Sequence, residues 1–292
     1  NLLQRGRENG LAGRMAEPGE VREREPHVRC LRAIHVQATG IVSYRAVCVR
    51  LAELLARDGA ELRRNTEVLA LRPTTGSTVI ATNAGELETK CLINCAGLHS
   101  DRVARLGGMR PNGRIVPFRG EYYELRKERR ELVRGLIYPV PNPEFPFLGV
   151  HFTRMIDGSV HAGPNAVLSL KREGYSRTAF DLRDALETLA FPGFWRLAWN
   201  NLGEGCQEMQ RSFCKRAFVR SLQRLVPEVQ APDLTPGEPG VRAQALRGDG
   251  ALVDDFLILQ GERAVHVLNA PSPAATAALE IGKAIVQQVP VV

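Results

Sequence analysis

Two histidines stand where paired strands would turn them toward a ligand. In the stretch 136–167, the run 147–155 is apolar and β-rich, and alternation puts His151 and Thr153 on one face. Ile156-Asp157-Gly158-Ser159 supplies a turn, and 160–167 resumes as a strand whose His161, Gly163 and Asn165 share a face. Imidazoles, an amide and a bare glycine on a hairpin suit the floor under a small polar ligand better than packing alone. Histidine titrates near neutral pH and can accept a hydroxyl proton, so His151 is the candidate base and His161 its competitor. The alternative for each is a hydrogen-bonded core histidine.

Two arginines have carboxylate-clamp character. Arg119 sits beside Gly120, and Arg242 follows Gly240-Val241. A guanidinium binds a carboxylate through two parallel hydrogen bonds, and a neighbouring glycine lets a ligand approach the backbone. Surface ion pairing is the competing reading. A third feature is the junction after 91–95 (CLINC), where Ala96-Gly97 leads into a helix starting near Ser100-Asp101. A strand, a small-residue turn and a helix start bring N–H groups to a phosphate, or form an ordinary tight turn. No serine–histidine–acid arrangement, carboxylate pair or P-loop stands out. The six cysteines form no CxxC pair and no cysteine–histidine metal spacing, so reduced structural thiols are expected and no metal site.

The elements that must hold these residues read as follows. Helices are expected at 1–10, at 17–25 with Pro18 near its start, and at 44–58, where Val47, Leu51, Leu54 and Leu55 recur at helical spacing. Strands are expected at 33–36, 60–63, 66–72, 78–82 and 86–89, and 91–95 reads as a strand buried on both faces of a parallel sheet. After a glycine-rich linker at 106–112, residues 114–125 alternate like a strand. Two helices, 176–199 and 207–225, carry tryptophans and leucines read as core. A proline-rich return at 227–240 precedes strands at 241–246, 251–259 and 264–268. Asn269-Ala270-Pro271-Ser272 then introduces a last helix at 273–289. The order is α/β (α+β), and it fits one domain interrupted by an insertion.

With 292 residues, 44% apolar and 24% charged, the chain is long enough for a substantial core. Its 39 basic and 32 acidic residues give a formal charge of +7, which suits an anionic partner. No lysine-rich run or aromatic-interleaved basic stripe points to nucleic acid. No apolar run approaches the ~18 residues of a membrane span.

Taken together, ATGIVSY (38–44), LINCAGLHSDR (92–102), RIVPFRGEYYEL (114–125), IYPVPNPEFPFLGVHFTRMIDGS (137–159), AGPNAV (162–167), GVRAQAL (240–246), DGALVDDF (249–256) and LNAPSPAAT (268–276) resemble the L-2-hydroxyglutarate dehydrogenase/oxidase family. That family lies within the glycine oxidase and D-amino-acid oxidase superfamily of flavoproteins. The resemblance implies FAD, oxidation of L-2-hydroxyglutarate to 2-oxoglutarate, and an electron acceptor that is oxygen, a quinone or another flavoprotein. It implies an FAD-binding Rossmann-like domain over 1–110 and 237–292, with an antiparallel-sheet substrate domain inserted at 111–236. On it His151 is the base, Arg242 the carboxylate-binding arginine, and Arg119, Tyr122 and Asn165 line the pocket. Ala96 and Gly97 would approach the FAD, Val68 its adenine, and Asn269, Ala270, Pro271 and Ser272 would close over the flavin. A cytoplasmic protein is implied, and a peripheral contact at the inner membrane needs no span.

Two features depart from the family pattern. Ser43 stands where an acidic residue is usual. The family's opening strand, GxGxxG turn and helix do not occur, so a member lacking roughly its first quarter to fifth is expected, with weak or no FAD binding. Two other readings remain from the sequence: an amino-acid oxidase of the same superfamily, and a non-catalytic binding module.

Overall fold

The computed structural model describes residues 1–141, 149–271 and 274–290. The chain opens with α1 (Leu2–Glu8), β1 (Gly13–Ala16), α2 (Pro18–Arg24), β2 (Ala33–Val36) and α3 (Tyr44–Arg57). Next come β3 (Val68–Pro73), β4 (Thr78–Thr82), β5 (Gly85–Thr89), β6 (Leu92–Asn94) and, after a 3-10 turn at Gly97–His99, α4 (Ser100–Leu106). The middle holds β7 (Arg114–Gly120), β8 (Tyr123–Leu125), β9 (Leu136–Ile137), β10 (His151–Arg154), β11 (Val160–Gly163) and β12 (Val167–Leu168). Helices α5 (Leu182–Leu189), α6 (Pro192–Asn200), α7 (Leu202–Phe213) and α8 (Lys215–Leu222) follow. The chain ends with β13 (Leu234–Pro236), β14 (Gly240–Leu246), β15 (Leu257–Gly261), β16 (Ala264–Asn269) and α9 (Ala278–Val286).

Two compact units share these elements: 1–49, 120–167 and 203–240 form the first, and 50–119, 168–202 and 241–292 the second. By contacts, 1–49 groups with the middle of the chain, while 168–202 groups with the second unit. Within the first unit the 1–49 segment is tied to the rest by Arg29 N–H, which donates to the Leu225 carbonyl, and by Val28, which packs on that unit's core. Residues 168–202 join the second because Arg172 is buried against Asp101.

The first unit is organised by a five-stranded antiparallel sheet in the order β13-β8-β11-β10-β9. Its apolar face presents Tyr123, Leu125, Ile137, Phe152, Val160, Ala162 and Leu234 to Phe218, Val219 and Leu222 of α8. Phe152, Phe218 and Leu222 are fully buried, each contributing about 1.5–3 kcal/mol by leaving water. The β10–β11 turn forms as expected: Asp157 Oδ1 accepts from Ser159 N–H at 2.9 Å, and Gly158 has φ +80°. The strand expected to run through 160–167 breaks after Gly163. A cis Gly163–Pro164 peptide follows, proline has no N–H to donate, and β12 enters a different sheet, β12-β7-β14.

In the second unit β16 pairs antiparallel with β15 and parallel with β6, while β3-β4-β5 forms a separate meander. The expected strand at 60–63 does not form, and 251–259 is a strand only from Leu257. β6 is not buried on both faces: Ile93 is 43% exposed. The 176–199 helix is two, divided before Pro192, and 207–225 is divided at Cys214. The tryptophans are not core either, since Trp195 and Trp199 are both exposed.

Candidate active site

The polar face of the first unit's sheet collects the hairpin residues. In an antiparallel pair, residues directly opposite share a face. His151 opposes Gly163 and Thr153 opposes His161, so the two groups expected on separate strand faces form one surface. Glu124 joins it opposite His161. His161 Nε2 lies 3.5 Å from Glu124 Oε1, which gives this histidine an acidic partner of its own.

His151 is buried, and its Nδ1 is 3.0 Å from the Gly149 carbonyl oxygen. A carbonyl only accepts, so Nδ1 is the nitrogen that carries a proton in this contact. Tyr138 stacks on the imidazole, ring centroids 4.1 Å apart and planes 18° apart. Tyr138 was not singled out in the sequence; its place one strand away, in an IYP context, gave no signal.

Asn165 is 3% exposed, and its amide is committed. Oδ1 accepts from Glu121 N–H at 2.9 Å and Nδ2 donates to Glu121 Oε2 at 3.0 Å. Glu121 is itself buried and was missed, because the pair is 44 residues apart in the chain. Gly163 also serves packing: a Cβ there would lie 2.8 Å from the Glu121 carbonyl and 3.1 Å from the Tyr122 ring. Gly163 and Asn165 thus both pack against the chain at 121–122. Tyr122 stands half-buried beside them, its ring 6.4 Å from that of His161.

The second unit carries the two arginines on neighbouring strands, Arg119 on β7 and Arg242 on β14. Arg119 is 6% exposed, so it is not a surface residue, and its Nη1 donates to the Ser176 carbonyl at 2.8 Å. Arg242 is half-buried.

Parallel pairing of β6 with β16 (Asn94 beside His266) sets their C-terminal ends together, and so brings Ala96, Gly97, Asn269, Ala270 and Pro271 to one sheet edge. Ligands of open α/β sheets bind at such edges. Asn94, buried, closes the turn: its Oδ1 accepts from Ala96 N–H at 3.1 Å and its Nδ2 donates to the Ser100 carbonyl at 2.8 Å. The same amide lies 3.1 Å from Nδ1 of buried His266, whose pKa burial lowers, keeping that ring neutral. Gly97 has φ +53° and open space where a Cβ would project. That edge, with a bare glycine and a helix start, fits a phosphate-bearing cofactor. Asn269 serves it indirectly. Its side chain bonds the backbone of Ala245, Val253 and Asp255, fixing the end of β16. Val68 begins β3 on the separate meander, and Ser272 lies outside the described residues. Ser43, the departure from the family pattern, accepts a hydrogen bond from Ala46 N–H at 3.3 Å in the first turn of α3.

Behind the turn lies an ion cluster the sequence did not reveal. Arg172 (2% exposed) hydrogen-bonds both oxygens of Asp101 (1% exposed) and reaches Glu187 at 3.1 Å. Arg102 bridges Asp184 and Glu187. Burial alone pushes the Asp101 pKa up, but its hydrogen bonds and charge contact with Arg172, helped by Arg105 and the Ile115 N–H, outweigh it and hold the carboxyl below its ordinary value. The cluster ties α4, and so the turn before it, to α5.

Residues 1–288 match the family described as FAD dependent oxidoreductase. The chain belongs to that family. It is 48% identical to the L-2-hydroxyglutarate dehydrogenase of Indibacter alkaliphilus over 97% of this chain and 71% of that protein. It is 46% identical to the Escherichia coli (strain K12) protein of the same name, over 99% and 68%. Among solved structures it is similar to the L-alpha-glycerophosphate oxidase of Mycoplasma pneumoniae with FAD bound, at TM-score 0.74 and 19% identity, covering 98% of this chain and 67% of that one. The fold is thus that of the FAD-dependent oxidoreductases, with antiparallel sheets beside a parallel strand pair. Among the described residues no helix is long and apolar enough to cross a membrane.

Proposed function

We propose that this chain catalyses the FAD-dependent oxidation of L-2-hydroxyglutarate to 2-oxoglutarate. The observation that carries the reading is identity of 46–48% to proteins named L-2-hydroxyglutarate dehydrogenase, over nearly the whole chain. Bound FAD supplies the acceptor for the hydride leaving C2. Ala96, Gly97 and the backbone at 269–271, with Ser272 beyond them, hold it, and Val68 is assigned to its adenine. His151 takes the hydroxyl proton at Nε2; the Nδ1 bond to Gly149 supports that role.

Arg242 and Arg119 bind the substrate's carboxylates as charge-assisted pairs, and their glycine neighbours support this. Tyr122 contacts the substrate, and Asn165 contributes by holding Glu121 and Tyr122 in place. The domain reading is an FAD-binding part over 1–110 and 237–292 and a substrate part over 111–236. Electrons pass on to oxygen, a quinone or another flavoprotein, and the protein works in the cytoplasm with a peripheral contact to a membrane. Anaerobic mixing of the FAD-loaded protein with L-2-hydroxyglutarate tests the reading: the flavin absorbance bleaches. Bleaching by glycine or D-alanine in its place would assign an amino-acid oxidase instead.

A further inference from the structure

Helix α5 is turned inside out. Its buried residues are Asp184, Ala185 and Thr188, while Leu182, Leu186 and Leu189, spaced i, i+4, i+7, are 64, 57 and 39% exposed. A surface helix ordinarily shows the reverse. The inversion has a cause: Asp184 is drawn inward by Arg102 and by the Arg172 N–H. One turn apart on α6, Trp195 and Trp199 are 57 and 76% exposed. Trp195 Nε1 donates to the Leu189 carbonyl at 2.7 Å, which joins the leucine stripe and the tryptophans into one ridge.

The ridge is bordered by positive charge. Arg183 on α5 and Arg196 on α6 are exposed. Beside the start of α6 a cavity of about 330 Å³ is lined by Arg105, Arg110 and Arg114 together with Phe191. Arg114 lies over the Phe191 ring, 5.4 Å from its centroid. Of the acids nearby, Asp184 is buried and Glu187 is held by Arg102, Arg172 and Arg183, which leaves Asp181 at the start of α5 and exposed Asp249 beside the cavity against the arginines. Tryptophan and leucine flanked by arginines are the composition of helices that lie in a membrane interface.

We propose that the α5–α6 ridge docks on the surface of an anionic lipid bilayer. Its tryptophans and leucines enter the headgroup level, and Arg110, Arg183 and Arg196 meet lipid phosphates. A second copy of the chain fits this face less well, because two-fold pairing would set the same arginines against one another on a chain of net charge +7. The proposal deepens the peripheral-contact reading above. Because binding is measured without substrate, its failure leaves the oxidation reading untouched.

The test is co-sedimentation of the full chain with phosphatidylcholine vesicles containing phosphatidylglycerol, against phosphatidylcholine alone. Expected are binding to the anionic vesicles, weakening with added salt, and a blue shift of tryptophan emission. Trp199→Ala and Trp195→Ala, each unchanged in circular dichroism, should bind on the order of tenfold more weakly. No vesicle binding, or equal binding by wild type and both variants, overturns the proposal. So does concentration-dependent self-association abolished by Trp199→Glu, which would make the ridge an interface between copies. Stabilisation by inorganic phosphate without vesicle binding would assign the cavity to a soluble anion and overturn it too.

Discussion

Tyr138 lies flat against His151, with ring centroids 4.1 Å apart, while the Nδ1–H of that histidine is spent on the Gly149 carbonyl. The stack fixes the ring plane and the hydrogen bond engages Nδ1. With Nδ1 engaged in this way, Nε2 is the nitrogen to which the proposal assigns the proton transfer. His161, sharing the sheet face, is paired with Glu124 instead.

If His151 is the base, as proposed, replacing it with glutamine retains polarity and removes that base. The rate of flavin reduction by L-2-hydroxyglutarate should fall by about 10²–10⁴ with little change in substrate affinity. Stopped-flow absorbance measures both. An unimpaired rate would remove His151 from the proton-transfer role.

The Arg172–Asp101 pair should prove costly to break on one side. Arg172→Met leaves Asp101 buried and partly uncompensated, at a cost of about 3–5 kcal/mol. Adding Asp101→Asn to that variant should recover much of the loss. Urea unfolding of the two singles and the double measures the coupling.

Acid should attack the same cluster. Asp101 and Glu187 both titrate below their ordinary values in the folded protein, their arginine contacts overcoming the upward push of burial. A depressed folded pKa gives stability that is present above the unfolded carboxylate value near about 4 and is lost as pH falls through the folded one. Asp101→Asn should therefore lower stability at neutral pH and flatten the acid limb of a melting-temperature profile.

Gly163→Ala tests the packing against 121–122. The position has φ +143°, and the new Cβ would meet the Glu121 carbonyl at 2.8 Å, so backbone must shift. A loss of about 1–3 kcal/mol is expected from the conformation alone, with more from the clash. Thermal unfolding reads it; Gly97→Ala, with open space around its Cβ, should lose less stability.

What could be read in the sequence was local. β2 and β4 fall where alternation put them, and α3 and the Asp157-Gly158 turn follow periodicity and turn chemistry. The Ala96–Gly97 turn with a helix at Ser100 was likewise visible. Contacts between distant residues were not: Arg172 meets Asp101 across 71 positions, and Asn165 meets Glu121 across 44. Nor could helical spacing say which side of α5 faces inward. Its leucines suggested core, but Asp184 had charged partners inside and the helix turned to meet them. The exposure of Trp195 and Trp199 has the same reason: apolar character gives a preference for burial, not a neighbour to be buried against.

The most direct measurement is anaerobic stopped-flow reduction of the FAD-loaded protein by the two enantiomers of 2-hydroxyglutarate. Rapid bleaching by the L form, with 2-oxoglutarate produced in equal amount and the D form inert, is the predicted result. Flavin that stays oxidised with L-2-hydroxyglutarate but is reduced by glycine or D-alanine would contradict the account.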